Sequence, residues 1–150
     1  LTSPEILGLP QKLDPDSIVE KPGWLKAFQD LTGSFDSSGV CLFTTFAIGA
    51  DELAAQMTTA TGISYTADSI MKAGDRIWNL ERLFNLAVGF TSKDDTIPQR
   101  LLNEPIPTGP ARGKVSRLPE MLPGYYEARG WDESGVPTDA KLEELGLERL

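Results

Sequence analysis

The sequence contains no histidine and a single cysteine, Cys41, among its 150 residues. Without histidine the chain lacks the commonest acid/base group and metal ligand at neutral pH, so neither a self-contained catalytic triad nor a zinc enzyme is expected. One cysteine also excludes a disulfide within the chain, which is consistent with a reducing compartment. Any metal or thiol chemistry in this chain therefore involves Cys41.

Other classes of protein are disfavoured by what is scarce. No apolar run is long enough to cross a bilayer, and no basic-then-apolar signal opens the chain. The net charge is −8, from 14 basic and 22 acidic residues, and Lys and Arg form no cluster. Nucleic acids and anionic membrane surfaces are therefore not expected as partners. Length and composition, with 40% hydrophobic residues, indicate one soluble domain, which we expect in the cytoplasm.

Apolar residues at helical spacing predict an all-α, multihelical domain with long, irregular, proline-rich loops. The first 22 residues contain four prolines and predict no long helix, and residues 91–119 contain five more and predict an irregular passage. Residues 42–49 are apolar and fit either a strand or a short buried helix. The predicted helices run from Trp24 to about Gly39, Asp51 to Thr61, Thr66 to Val88, Pro119 to Arg129, and Thr138 to Leu145.

The third of these helices has the clearest periodicity. Its apolar residues predict one inward stripe, made of Ile70, Ala73, Ile77, Leu80, Phe84 and Ala87. Gly74 within it is a mild defect unless a close contact requires it. Arg76, Asn79 and Arg82 follow at three-residue steps. We interpret them as a solvated face with ion pairs, in preference to a surface for an anionic ligand or another domain.

Residues 36–41 (DSSGVC) bring together the groups best suited to a cofactor. Asp36 lies in the last turn of the first helix, Gly39 can take the left-handed conformation that ends a helix, and Cys41 follows. On base rates a lone cysteine with apolar neighbours is expected to be buried. An accessible thiol would suit a redox sensor instead. A carboxylate and a thiolate on one turn could also contact a heterocycle and an iron atom.

Several segments resemble the carboxy-terminal region of the tungsten- or molybdenum-dependent aldehyde:ferredoxin oxidoreductases. They are residues 36–41, 74–85 (GDRIWNLERLFN), 89–100 (GFTSKDDTIPQR), 125–132 (YYEARGWD) and 135–138 (GVPT). The resemblance extends from about Trp24 to Leu147, and the motifs are specific in combination. It implies that residues 1–150 are the carboxy-terminal helical domain of a larger enzyme and are inactive alone.

The resemblance implies a role for three residues of the turn. Asp36 hydrogen-bonds a pterin of the tungsten- or molybdenum-bis-pterin cofactor, and Val40, where leucine is more usual, approaches it through the backbone. Cys41 is the fourth ligand of a [4Fe–4S] cluster whose other three cysteines lie upstream. The implied reaction oxidises an aldehyde to a carboxylic acid and passes electrons through the cluster to ferredoxin. No catalytic residue is expected in this chain itself.

The implied partners are upstream domains of the same full-length chain, ferredoxin and the aldehyde substrate, and a homo-oligomer stays open. Two alternatives compete with this interpretation. One is a non-catalytic helical interaction module that retains the family fold, and the other is the redox sensor based on Cys41. A C-x-x-C-x-x-x-C motif upstream of Leu1 would favour the enzyme.

Overall fold

The structure of the protein, a computed structural model, describes Asp14 and residues 17–149. In this part of the chain the fold is helical, and the only strand-like pairing is an isolated bridge between Trp131 and Pro137. The helices are α1 (Lys21–Ser38), α2 (Ala50–Thr61), α3 (Ala67–Ala87), α4 (Gln99–Asn103), α5 (Leu118–Arg129) and α6 (Asp139–Leu145), with short 3-10 helices at Leu42–Phe46 and Ser92–Asp94. The predicted all-α class is confirmed.

None of these helices is both long and apolar enough to span a membrane. The prediction that the first 22 residues hold no long helix falls largely outside the described residues. Its last two residues, however, belong to α1, which begins at Lys21 rather than at Trp24. Pro22 is tolerated there because the first turn of a helix needs no hydrogen bond from that N–H.

Short-range signals set most of the helix ends. Gly39 ends α1 in the left-handed conformation, with φ of 77°, as predicted. Thr66 caps α3 by accepting a hydrogen bond from the N–H of Ser69. The second helix begins at Ala50, one residue before the predicted start at Asp51, and the N–H of Gly49 before it donates a hydrogen bond to the side chain of Glu52.

The hydrophobic core lies where α1, α2 and α3 meet. Its fully buried members are Leu31, Phe35, Leu53, Ala54 and Ile70. Leu42 and Ile48 pack against its edge, and the 3-10 helix at Leu42–Phe46 shows that residues 42–49 form no strand. The core therefore fixes the carboxyl end of α1 and the turn that follows it.

The predicted inward stripe of α3 is wrong beyond its first half. Ile70 is buried, but Leu80 and Phe84 are 47% and 59% exposed. The buried side of this part of α3 is polar instead, with Asn79 fully buried and Arg82 nearly so, which also overturns the interpretation of these two as a solvated face. The reason is tertiary: other helices bring hydrogen-bonding partners to the polar side.

Gly74 marks the closest approach of α1 and α3. A methyl group at this position would lie 1.9 Å from the main-chain oxygen of Asp30. One turn away, the hydroxyl of Ser34 donates a 2.7 Å hydrogen bond to the main-chain oxygen of Ile70. Glycine is thus required by helix contact here and is not a defect of α3.

We expect Gly74→Ala to lower the free energy of unfolding by about 2–3 kcal/mol, because α1 and α3 must separate to admit the methyl group. Gly23→Ala is the matched control, since Gly23 also lies within a helix but has nothing within 4 Å of the added carbon. That control should raise stability by about 0.5–1 kcal/mol through helix propensity. Urea denaturation measures both, and equal effects of the same sign would contradict the close contact.

Candidate functional site

The last residues of α1 and the turn that follows them (residues 36–41, here called the cofactor corner) have a well-defined backbone. The N–H of Gly39 donates to the main-chain oxygen of Asp36, and the N–H of Val40 donates to the hydroxyl of Ser38. Thr44 donates both its N–H and its hydroxyl to the main-chain oxygen of Cys41. The corner is therefore fixed by its own hydrogen bonds and not by its functional side chains.

Cys41 is exposed, so the expectation that it is buried is wrong. The backbone is extended here, which sends successive side chains to opposite sides. Val40 and Leu42 face the core, and Cys41 between them faces outward. Exposure also removes the objection that burial had raised against a thiol redox sensor.

The corner offers one thiol and one carboxylate to a ligand. Asp36 is exposed, and a methyl group placed on Gly39 would meet nothing within 4 Å, so a ligand has open access to this backbone. No group of three or more acidic or sulfur ligands occurs in the described part of the chain. These residues fit a cofactor as a partial binding site, with one ligand for iron and one acceptor for a heterocycle N–H.

A second polar site lies inside the domain, around the completely buried guanidinium of Arg129 on α5. Its Nη1 donates to Asp30 on α1, at 2.5 Å, and to Asp75 on α3, at 3.2 Å. Nη2 donates to the side chain of Gln29, and Nε donates to the hydroxyl of Tyr125. One side chain thus connects three helices, and we call this set the Arg129 network.

Two lysines bring further positive charge to the carboxylates of the Arg129 network. Lys26 lies 2.6 Å from Asp30 and 3.1 Å from Asp75, and Lys141 of α6 lies 2.8 Å from Asp75. Burial raises the pKa of Asp30 above its usual range, against the opposing effects of Lys26 and Arg129. Burial alone would also raise the pKa of Asp75. Hydrogen bonds from Lys141 and Lys26 outweigh the effect of burial, so the pKa of Asp75 is lowered.

A neighbouring cluster holds the loop after α3. Arg82 donates two hydrogen bonds to the carboxylate of Asp95, at 2.8 and 2.7 Å, and one to the main-chain oxygen of Gly135. Tyr126 donates its hydroxyl to the same carboxylate. The indole of Trp131 packs against this guanidinium, 4.9 Å from ring centre to Cζ. Tyr126 and Trp131 are thus packing residues of this cluster.

Both clusters are structural rather than catalytic in character. Within the described residues, no buried side-chain nitrogen or oxygen lacks a hydrogen-bond partner. A catalytic acid or base needs a free position toward a substrate, and these groups are already satisfied by one another. Arg76 differs from its neighbours Asn79 and Arg82, because its side chain is exposed and donates to the main-chain oxygen of Leu145.

An open cleft of about 450 Å³ lies beside these clusters, between α1, α3 and α5. Its walls are mainly aromatic and aliphatic, including Leu25, Trp78, Leu122 and Tyr125. Leu25 and Asp36 are eleven residues apart on one helix, so the cleft is about 16 Å from the cofactor corner. The two are separate sites.

Sequence reasoning missed Asp30 and Arg129 entirely. Arg129 lies in residues 125–132, which carry part of the family resemblance, but nothing in this segment indicates that its side chain is buried. Asp30 lies four residues after Lys26, which suggests only an ordinary surface ion pair. The partners are 99 residues apart, so no local pattern could have joined them.

Comparisons with known proteins identify the family. The family model described as aldehyde ferredoxin oxidoreductase, domains 2 and 3, matches residues 1–147. The tungsten-containing aldehyde ferredoxin oxidoreductase of Pyrococcus abyssi is 52% identical over all of this chain and 25% of its own length. That of Pyrococcus furiosus is 51% identical over 98% of this chain and 25% of its own length.

More distant matches share the fold. The WOR-like subunit of an aliphatic sulfonate oxidoreductase from Pyrococcus furiosus is 33% identical over 75% of this chain and 19% of its own length. One solved structure that matches is the BamBC active-site complex of benzoyl coenzyme A reductase with 1,5-dienoyl-CoA. The match covers 92% of this chain and 21% of that chain, with a TM-score of 0.72. At 20% identity, this second match speaks for the fold alone.

The family model and these relatives define the class of protein, an oxidoreductase. The chain belongs to the aldehyde ferredoxin oxidoreductase family, which confirms the resemblance seen in its motifs. It spans about a quarter of the length of the curated relatives that it matches.

We expect Arg129→Met to lower the free energy of unfolding by about 3–5 kcal/mol, because it removes the central cation from two buried carboxylates. Arg117→Met is the matched control, since Arg117 pairs with Glu120 at 2.6 Å on the surface, where both side chains are about half exposed. That control should cost much less than Arg129→Met, because an exposed ion pair contributes little to stability. Chemical denaturation compares them, and similar small losses would show that the Arg129 network is dispensable.

Burial, and then the hydrogen bond to Asp95, raise the pKa of Tyr126 to about 12, from an ordinary value of 10.0. Between these values the folded chain keeps a proton that the unfolded chain loses, so stability falls as the pH rises from about 10 to about 12. We expect one phenol to ionise late in an ultraviolet titration and to vanish in Tyr126→Phe. In denaturant all phenols should ionise together; a Tyr126→Phe titration identical to the parent's would contradict the assignment.

Proposed function

We propose that this chain is the cofactor-contacting helical domain of an enzyme that oxidises aldehydes to carboxylic acids. The observation that supports it most is the exposed Asp36–Cys41 corner in a chain about 50% identical to tungsten-containing aldehyde ferredoxin oxidoreductases. The activity belongs to a larger polypeptide, in which upstream domains supply the rest of the cofactor site. The enzyme works in the cytoplasm, where a chain with one unpaired thiol is stable against oxidation.

Each residue of the cofactor corner has a distinct role in this proposal. Asp36 accepts a hydrogen bond from a pterin of the bis-pterin cofactor, and its exposure at the helix end supports this role. Val40 turns its side chain to the core, which leaves its backbone facing the ligand. Cys41 is the fourth thiolate of a [4Fe–4S] cluster, and the single cysteine of the chain means that three thiolates come from elsewhere.

The proposed reaction converts an aldehyde and water into a carboxylic acid, two protons and two electrons. Asp36 and Val40 would contact the metal–pterin centre, which would supply the two-electron redox chemistry, and Cys41 would hold the cluster, which would supply a route for electrons to ferredoxin. Tungsten is the favoured metal, because the close relatives are named as tungsten-containing enzymes. This domain's own contribution is to position the two cofactors by one rigid turn at the end of α1.

We expect Cys41→Ala in the full-length enzyme to reduce bound iron and remove the paramagnetic signal of the reduced cluster. Asp36→Asn should instead weaken retention of tungsten and pterin, because the amide is a poorer acceptor than the carboxylate. Iron and tungsten analysis and low-temperature electron paramagnetic resonance measure these changes.

Asp51→Asn is the matched control, because Asp51 is an exposed acid on α2 outside the cofactor corner. It should leave both metals unchanged. Full iron content in Cys41→Ala would rule out the cluster role. If Cys41→Ala loses iron but Asp36→Asn retains its tungsten, the cluster role of Cys41 stands and the pterin role of Asp36 is ruled out.

A further inference from the structure

The second half of α3 presents an apolar surface to the outside. Leu80, Phe84 and Val88, with Phe90 just beyond the helix, are 47%, 59%, 56% and 53% exposed. The first three are four residues apart and so lie on one face of the helix. We call these four residues the outward stripe.

The outward stripe takes no part in the buried core of the domain that bears it. The opposite side of the same helix turns carries Asn79, Arg82 and Leu83 into the interior. There Asn79 accepts a hydrogen bond from the indole of Trp131, and Arg82 binds Asp95. This part of α3 therefore has a buried polar face, which finds its hydrogen-bond partners within the domain, and an exposed apolar face.

A surface helix usually turns its apolar face to the core and its polar face to water. The reverse arrangement in this part of α3 is therefore unusual for a surface in contact with water. Contiguous exposed apolar patches on folded proteins generally mark interaction sites. The helical periodicity of the stripe is that of a buried face, which is why the sequence predicts Leu80 and Phe84 to face inward. The pattern fits a surface that another protein surface covers.

We propose that the outward stripe docks onto another domain of the same oxidoreductase polypeptide. The chain matches only 25% of the length of its close relatives and 21% of the solved chain that shares its fold. In this family the fold is therefore joined to about three times its own length of further polypeptide. A domain tethered in this way meets the stripe at high effective concentration, unlike a second molecule.

The docking surface is distinct from the cofactor corner. Ser34 on α1 contacts Ile70 on α3, so the corner that follows α1 lies beside the beginning of α3. Phe84 is fourteen residues further along that helix, about 21 Å away. The stripe thus anchors the domain at its other end, and its docking does not depend on the proposed roles of Asp36 and Cys41.

Hydroxyl-radical footprinting of the full-length enzyme tests the proposal. We expect Phe84 and Phe90 to be oxidised several-fold more slowly than their exposure in this domain implies, and to stay protected when the enzyme is diluted to monomers. Rapid oxidation would overturn the proposal. Protection that is lost on dilution would also overturn it, because the cover would then be a second copy.

A pair of variants in the full-length enzyme provides an independent readout. Phe84→Glu places a charge in the proposed interface and should lower Tm by several degrees. Leu101→Glu is the matched control, because Leu101 is 53% exposed and lies on α4, outside the stripe. Equal shifts of Tm in the two variants would contradict docking through the stripe.

Discussion

The architecture depends on one buried guanidinium, that of Arg129, held between the carboxylates of Asp30 and Asp75. Removing three charges from water is expensive, and only mutual pairing with good hydrogen bonds offsets the desolvation. The pairing is possible because Gly74 lets α1 and α3 approach until both carboxylates reach one side chain of α5. Close helix contact and charge pairing therefore require each other, and together they fix how the helices are arranged.

The Arg129 network also explains how the cofactor corner is supported. Asp30 lies in the middle of α1, and Phe35, one turn later, is completely buried in the core. The last turn of α1, with Asp36, is thus held from two sides while its own side chains stay exposed. For the proposed role, in which other segments also hold the cofactors, such rigid support would set the positions of Asp36 and Cys41 before a cofactor binds.

The amino-acid sequence predicted much of the fold but misassigned the faces of α3. Helix ends at Gly39 and Thr66 follow from backbone conformation and capping, which involve residues a few positions apart. Periodicity correctly indicated a helix through Phe84 and an apolar face on it. It could not show whether that face meets this domain's core or a surface elsewhere, because periodicity reports a pattern and not a neighbour.

Local patterns in the sequence were sufficient to predict the helical class and most helix ends. The family motifs and the Asp36–Cys41 segment were also identified from the sequence alone. The exposure of Cys41, and the joining of Asp30 to Arg129 across 99 residues, emerged only from the folded arrangement. The physical reason is range. Capping and helix hydrogen bonds act within one or two turns, whereas burial and ion pairing depend on which distant segments come together.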